Sequence, residues 1–448
     1  MKAAALVSIV IALAGCATYR VAPLSPARSA AGFESRRLDS PEVTEFLRNR
    51  PHPRRGGLPS WDLTRLTDAA YFFQPDLAVA RAQRAGAQAA EITAGARPNP
   101  TLGFSPQITT NMLGGMSPWT LGFNLDVPIE TAGKRGYRLV RAQQLSQAAA
   151  LNIANVAWQV RSRVRKNLLE LYSASEREQL LVRQQNSQEQ TVNAFEQRIA
   201  AGEIGRPEVI QSRLLFNQTR LLLCDAQKQK AQARVGVADA VGVPVSALDG
   251  IALSFDDFAR LPNAVAEKEL RRRTLFSRPD VLGALADYAA ADAALRLEIA
   301  NQYPDVHLNP GYMFDQGQNK WSVGLSLTLP ILNQNRGPIA EAEAKRTELA
   351  AKFESVQARA IGELDRALAG YRGALKKLQT ADELLAAQQK QQQSSESLFK
   401  AGETDRLTLL SAQVELDAIA VSRLDALVEA QQALGQLEDA TQTSLDHK

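Results

Sequence analysis

The sequence predicts a mainly α-helical protein that carries a membrane β-barrel. It is built from two tandem repeats, each pairing a β-hairpin with a long coiled-coil hairpin. Three observations lead there. The stretch WTLGFNLDVP, from Trp119, returns about 200 residues later as WSVGLSLTLP, from Trp321. Each alternates apolar residues with small or polar ones, the period of a strand with two unlike faces. Around them run long stretches rich in Ala, Gln, Leu, Arg and Glu, while aromatic residues make up only 6% of the chain. That composition suits long helices better than sandwiches or doubly wound sheets.

The repetition extends through most of the 448 residues. Gln74-Pro75-Asp76-Leu77 matches Arg278-Pro279-Asp280-Val281, and Leu180-Leu181 with Gln184-Gln185 matches Leu384-Leu385 with Gln388-Gln389. Ala201-Gly202-Glu203 with Arg206 matches Ala401-Gly402-Glu403 with Arg406, and the order is the same in both halves. The expected organisation is a signal peptide at 1–15, an extended, lipid-anchored tether at 16–62 and repeat 1 at 63–242. A linking segment at 243–266, repeat 2 at 267–440 and a polar tail at 441–448 follow. Repeat 1 places its β-hairpin at 101–129 and its helical tip at 201–207; repeat 2 places them at 305–331 and 401–407.

The N-terminus begins with Met1-Lys2 and an apolar stretch from Ala3 to Leu13. That stretch is too short for a bilayer span and right for a signal-peptide core. Leu13-Ala14-Gly15-Cys16 follows, which resembles the bacterial lipoprotein cleavage box. The resemblance implies cleavage before Cys16 and its lipidation; a plain secretory signal that contains a Cys is the alternative. Ala17 in place of Asp implies sorting to the outer membrane. Cys224 is then the one remaining thiol, so no internal disulfide forms. Its helical setting predicts a packed, small apolar residue. Beyond residue 16 no run of about 18 apolar residues is present.

Each repeat opens with a helix, from Leu63 to about Gly95 and from Pro279 to about Asn301. A long helix follows each β-hairpin, starting near Gly136 and near Pro338. In the first, Val156, Val160, Val164, Leu168 and Leu171 mark an apolar stripe. About 60 residues at 1.5 Å each span roughly 90–100 Å, too long for a compact domain. Both long helices end at an Ala-Gly-Glu turn, where Gly202 and Gly402 suit left-handed caps. Pro207 fits the first turn of a returning helix, and Thr404 or Asp405 suits the cap of the other. Repeat 2 is about four residues shorter ahead of this turn, the size of a coiled-coil stutter.

On the strands, Trp119, Leu121, Phe123, Leu125 and Val127 share one face, as do Trp321, Val323, Leu325, Leu327 and Leu329. The preceding strands offer Leu102, Phe104, Pro106 and Ile108, and Val306, Leu308, Pro310, Tyr312 and Phe314. A half-buried sheet packed on helices is one reading of such alternation. Strand lengths of about nine to eleven residues, the two Trp opening their strands and the lipoprotein signature favour a lipid-facing sheet. Trp119, Leu121, Phe123, Leu125, Trp321, Val323, Leu325 and Leu327 are the candidate membrane-facing residues. Four strands cannot close a barrel, and open edges cannot sit in lipid, so other copies must complete the sheet.

A lipidated N-terminus and a tandem copy of helix, β-hairpin and long helical hairpin resemble the outer-membrane efflux factors, the TolC family. PIETAGKRGYRLVRAQ, from Pro128, is similar to the CzcC-like metal-efflux branch; PILNQNRGPIAEAEA, from Pro330, follows the wider family. The resemblance implies a homotrimer with a twelve-stranded barrel in outer-membrane lipid and a periplasmic α-barrel. It also implies passive export of cargo from an inner-membrane resistance-nodulation-division-type pump and a periplasmic adaptor, with neither enzymatic activity nor cofactor. Gate and adaptor docking would fall to the tips: Gly202, Glu203, Arg206, Glu208, Gly402, Glu403, Asp405 and Arg406. The family often places an acid six residues after the tip Gly; Glu208 fits and Thr408 does not.

Other classes find little support. A net charge of +4 without Lys/Arg runs interleaved with aromatics argues against nucleic acid. His52, His307 and His447 are the three histidines and lack zinc-ligand spacing, so no metal site is expected. His307 is expected to line the lumen. Gly133-Lys134-Arg135-Gly136 is no phosphate loop, because Pro128 stands where a Gly is required. No serine elbow or catalytic carboxylate pair stands out. The competing reading is a periplasmic adaptor or a structural coiled-coil lipoprotein. Adaptors carry one helical hairpin, and a plain coiled coil needs no amphipathic strands.

Overall fold

Two Pro residues set the plan of each half. The computed structural model describes residues 17–50, 60–110, 114, 117–262 and 267–445. Within it, helices α1 (Pro26–Glu34) and α2 (Pro41–Arg48) precede α3 (Leu63–Phe73) and α4 (Pro75–Gly95). Strands β1 (Thr101–Ile108) and β2 (Trp119–Ile129) lead into α5 (Lys134–Ala200) and α6 (Arg206–Val241). The second half repeats the order: α7 (Glu267–Phe276), α8 (Pro279–Ala300), β3 (Val306–Asp315), β4 (Gln318–Leu327), α9 (Arg336–Lys400) and α10 (Arg406–Thr441).

The single opening helix expected from Leu63 to Gly95 is in fact two, α3 and α4. Pro75 lacks the N–H an unbroken helix needs, and it pushes Gln74 out of the helical region to φ −68°, ψ 122°. Arg278 before Pro279 adopts nearly the same angles, φ −67°, ψ 123°. Each of these residues also serves the end of its return helix. Gln74 donates to the carbonyls of Asp239 and Ala240 (2.8 and 2.7 Å), and Arg278 donates to that of Ala440 (2.9 Å). The bonds to Ala240 and Ala440 serve carbonyls of the last helical turn, which lack a partner further along the helix.

The segment expected to be an extended tether is helical in α1 and α2 and packs on the body of the protein. Leu38, Val43 and Leu47 are buried in one cluster with Leu66, Val160, Val164 and Val237. Arg36 donates to the carbonyl of Gly242 at 2.6 Å, a second clasp on the end of α6. Burying these apolar side chains outweighs leaving the segment loose. Cys16 and His52 lie outside the described residues, as does the Pro- and Gly-rich stretch 51–59.

Helices α5 and α9 contain 67 and 65 residues, each about 100 Å long. Both end in the same Schellman motif. The N–H of Glu203 bonds the carbonyl of Arg198 (2.9 Å) and that of Gly202 bonds Ile199 (2.8 Å); Glu403–Leu398 and Gly402–Phe399 repeat this at 2.9 and 3.0 Å. Gly202 and Gly402 sit at φ 76° and 75°, where a Cβ is penalised.

The sheet has the order β1-β2-β3-β4, antiparallel throughout, so β2 of one half pairs with β3 of the other. The β3–β4 turn is the two residues Gln316 and Gly317, both at positive φ, the geometry that suits a tight hairpin. Trp119 opens β2 as expected, whereas β4 starts at Gln318 and carries Trp321 as its fourth residue.

The two halves are joined along α5 and α10. In α10 every seventh residue, Leu410, Asp417, Leu424, Gln431 and Glu438, is buried. Three of these meet α5 directly. Asp417 accepts from Ser187 (2.9 Å), Gln431 accepts from Arg165 through its carbonyl (2.9 Å), and Glu438 pairs with Arg161 (3.0 Å) and Arg165 (3.2 Å). Gln431 also donates to the carbonyls of Phe258 and Arg260, holding the segment between the halves.

Candidate functional site: the sheet faces and the helical tips

Register decides what the sheet presents. Phe104 pairs with Phe123, Phe123 with Tyr312, and Tyr312 with Trp321. Leu102, Leu125, Leu308 and Leu325 lie on that same face, as do Val306 and Leu327. Four separately predicted apolar rows thus merge into one face. Phe104 stacks on Phe123 with ring centres 4.7 Å apart, and Tyr312 lies 4.8 Å from Trp321. Much of this surface is bare: Trp321 is 81% exposed, Val323 76% and Leu102 71%. No helix covers it. An apolar surface of this extent marks a partner or a membrane.

The opposite face is polar and internally bonded. Thr120 donates to Asp315 (3.0 Å), Lys320 pairs with Asp315 (2.6 Å) and Asn309 donates to Ser326 (3.0 Å). His307 sits on this face, its Nδ1 at 2.9 and 3.1 Å from the two carboxylate oxygens of Asp126. Below the strands, Lys134 of α5 pairs with Asp305 (2.8 Å) and donates to the carbonyl of Tyr303 (2.7 Å). This pins the root of one hairpin to that of the other.

At the other end, about 100 Å away along the helices, the two tips meet. Arg198, in the last turn of α5, lies 3.0 Å from Glu203 and 3.5 Å from Asp405. Asp405 caps α10 by accepting from the Thr408 N–H (2.8 Å) and hydroxyl (2.7 Å). Those bonds, with the Arg198 charge nearby, hold the Asp405 carboxyl below the usual carboxylate range against a smaller effect of desolvation. Thr404 is not the cap. Of the sequence-predicted tip residues, the structure brings Glu203 and Asp405 together through Arg198. Arg206, Glu208, Glu403 and Arg406 stand exposed at the same tips and form no ion pair among the described residues.

Sequence reasoning missed Arg198. Its signal was present: the equivalent residue in the other repeat is Leu398, so the tips differ in charge at the position before the turn. Cys224, expected to be packed, is exposed on α6. Its position corresponds to Leu424 of the buried row in α10, but among the described residues no helix covers that side of α6. Ile210, 58% exposed, and Leu221, 69% exposed, share this uncovered region of the helix.

A chain with two helical hairpins about 100 Å long, and one sheet that is apolar on one side and polar on the other, defines a class: the protomer of a channel tunnel. The outer membrane efflux protein family matches this chain twice, over residues 70–243 and again over 270–442, and the chain belongs to that family. It is 25% identical over 407 residues to the pyoverdine export outer membrane protein OpmQ of Pseudomonas aeruginosa, covering 84% of this chain and 85% of the relative. It is 26% identical over 220 residues to the cobalt-zinc-cadmium resistance protein CzcC of Cupriavidus metallidurans, covering 49% and 52%. Its fold matches the outer membrane protein VceC of Vibrio cholerae with a TM-score of 0.69 at 19% identity, over 86% of this chain and 97% of that one. The protein is an outer-membrane efflux channel extending into the periplasm. Members of the family work with an adaptor and an inner-membrane pump, which sets aside the adaptor reading.

Proposed function

We propose that three copies of this chain assemble into one conduit that carries cargo out passively and catalyses no reaction. The single observation that carries this is the sheet with two unpaired outer strands, β1 and β4, and a continuous bare apolar face. Unpaired edges cannot be left in lipid. Joining β4 of one copy to β1 of the next closes the ring, and three copies give twelve strands. The repeats 63–242 and 267–440 then act as equivalent staves of a pseudo-sixfold wall. The polar sheet face lines water, and Trp119, Leu121, Phe123, Leu125, Trp321, Val323, Leu325 and Leu327 face lipid.

In this reading, lipidation of Cys16 adds an anchor. The tips form the gate and the docking surface for the periplasmic adaptor, with an inner-membrane resistance-nodulation-division-type pump supplying the cargo. Arg198 with Glu203 and Asp405 is the latch within each copy. Exposed Arg206, Glu208, Glu403 and Arg406 are placed to meet the neighbouring copy or the adaptor. The test is direct. Outer-membrane fractions should yield a heat-modifiable trimer that forms conducting steps in planar bilayers. A monomer in inner-membrane fractions would refute the proposal.

A further inference from the structure

We propose that His307, held by Asp126, is a transit site for borderline-soft divalent transition-metal cations on the wall of the conduit. The inference rests on the reading of the polar sheet face as channel lining, and it names a cargo class for that channel. Asp126 lies on β2 and His307 on β3, so the pair bridges the two halves of the chain. A carboxylate accepts hydrogen bonds and cannot donate them, so with Asp126 at 2.9 Å the neutral ring carries its proton on Nδ1. The lone pair is then left on Nε2, which forms no hydrogen bond among the described residues.

This is the arrangement in which proteins present imidazole to a metal: the far nitrogen is anchored by a carboxylate, which fixes the tautomer and the orientation of the ring. The pair is accessible, with side chains 37% and 34% exposed. Its neighbours are polar as well. Ser326 lies directly opposite His307 on β4, and Asn309, two residues along β3, donates to Ser326 at 3.0 Å. Together they offer polar partners for waters that complete a metal's coordination.

One imidazole per copy makes a weak site, which is what conduction needs. A site on a permeation path must attract its ion and also release it. The donor type sets the class. Imidazole suits zinc, copper, nickel and cobalt, whereas magnesium and calcium prefer oxygen ligands. An ordinary cross-strand clamp would need only the Nδ1 bond and would be indifferent to metals.

Untagged protein is purified in detergent and reconstituted in planar bilayers, and conductance is recorded with Zn2+ or Mg2+ added. Zn2+ binding to the same protein in detergent is measured by calorimetry. The expected result is reversible Zn2+ block of the wild type without Mg2+ block, and one calorimetric site per protomer. His307→Asn should abolish both effects, and Asp126→Asn should weaken Zn2+ about 10–100-fold. A Zn2+ response that survives His307→Asn, or a wild type that neither binds Zn2+ nor is blocked by it, overturns the proposal. Zinc binding at His307 without any conducting step would overturn the channel reading and leave the metal site standing.

Discussion

Arg198 of α5 reaches both Glu203 in its own turn, at 3.0 Å, and Asp405 at the head of α10, at 3.5 Å, so one guanidinium ties the tips of the two repeats together. Both pairs are exposed, and each exposed pair is worth about 1 kcal/mol or less. The proposed latch is therefore weak in one copy and would gain force if, as proposed above, three copies had to part together.

Arg198→Ala should raise the single-channel conductance or open probability of the reconstituted protein. Neutralising Arg206 and Arg406 should do less, because neither forms an ion pair among the described residues. Equal effects from both variants would show that contacts between copies, rather than Arg198, keep the tips closed.

Acid should loosen the same latch. The Asp405 carboxyl is held below its ordinary value of 3.8 by the Thr408 bonds and Arg198. A depressed folded-state value means that its contribution is complete above about pH 4 and fades as pH falls through the lower value. Wild-type conductance should thus be flat from neutral pH down to about 4 and rise below it. Asp405→Asn should start higher and lose most of that rise.

Gly435 makes room for a buried charge. A Cβ there would lie 2.4 Å from Nη1 of Arg165, which is held by Glu438 and Gln431. Ala favours a helix over Gly by up to about 1 kcal/mol, but forcing atoms into a packed site costs about 1–3 kcal/mol. Gly435→Ala should therefore lower the thermal stability of the protein in detergent. A melting temperature equal to wild type would show that Arg165 has somewhere else to go.

Cys224 offers a test of the proposed assembly. It is exposed in the single chain, but it stands in α6 where α10 has its buried Leu424. If α9 of the adjacent copy covers α6 as α5 covers α10, the thiol is shielded by assembly. Maleimide should label Cys224 slowly in the intact trimer and rapidly after denaturation. Rapid labelling of the intact trimer would place that face in water.

Much of this was legible early because its causes are local. Gly202 and Gly402 mark the turns since only a left-handed residue ends these helices with both Schellman bonds. Asp405 was a candidate cap because its side chain needs to reach only three residues along the chain. The break at Pro75 was within reach too, since the matching Pro279 was read as the start of its helix. The partners of Leu38, Val43 and Leu47 were not legible, because Leu66, Val160 and Val237 lie far along the chain.

By itself, the sequence determined the repeat, the two-sided strands and the long helices with their Gly turns. Each is a periodicity or a local backbone demand, carried by neighbouring residues. Tertiary structure alone decided that β2 pairs with β3, which merges four apolar rows into one face and sets His307 on Asp126. It alone joined Arg198 to Asp405, about 200 residues onward. Such pairings depend on how two repeats dock, through Arg165, Gln431 and Glu438 at their seam, and no local pattern encodes the distance between residues that only docking brings together.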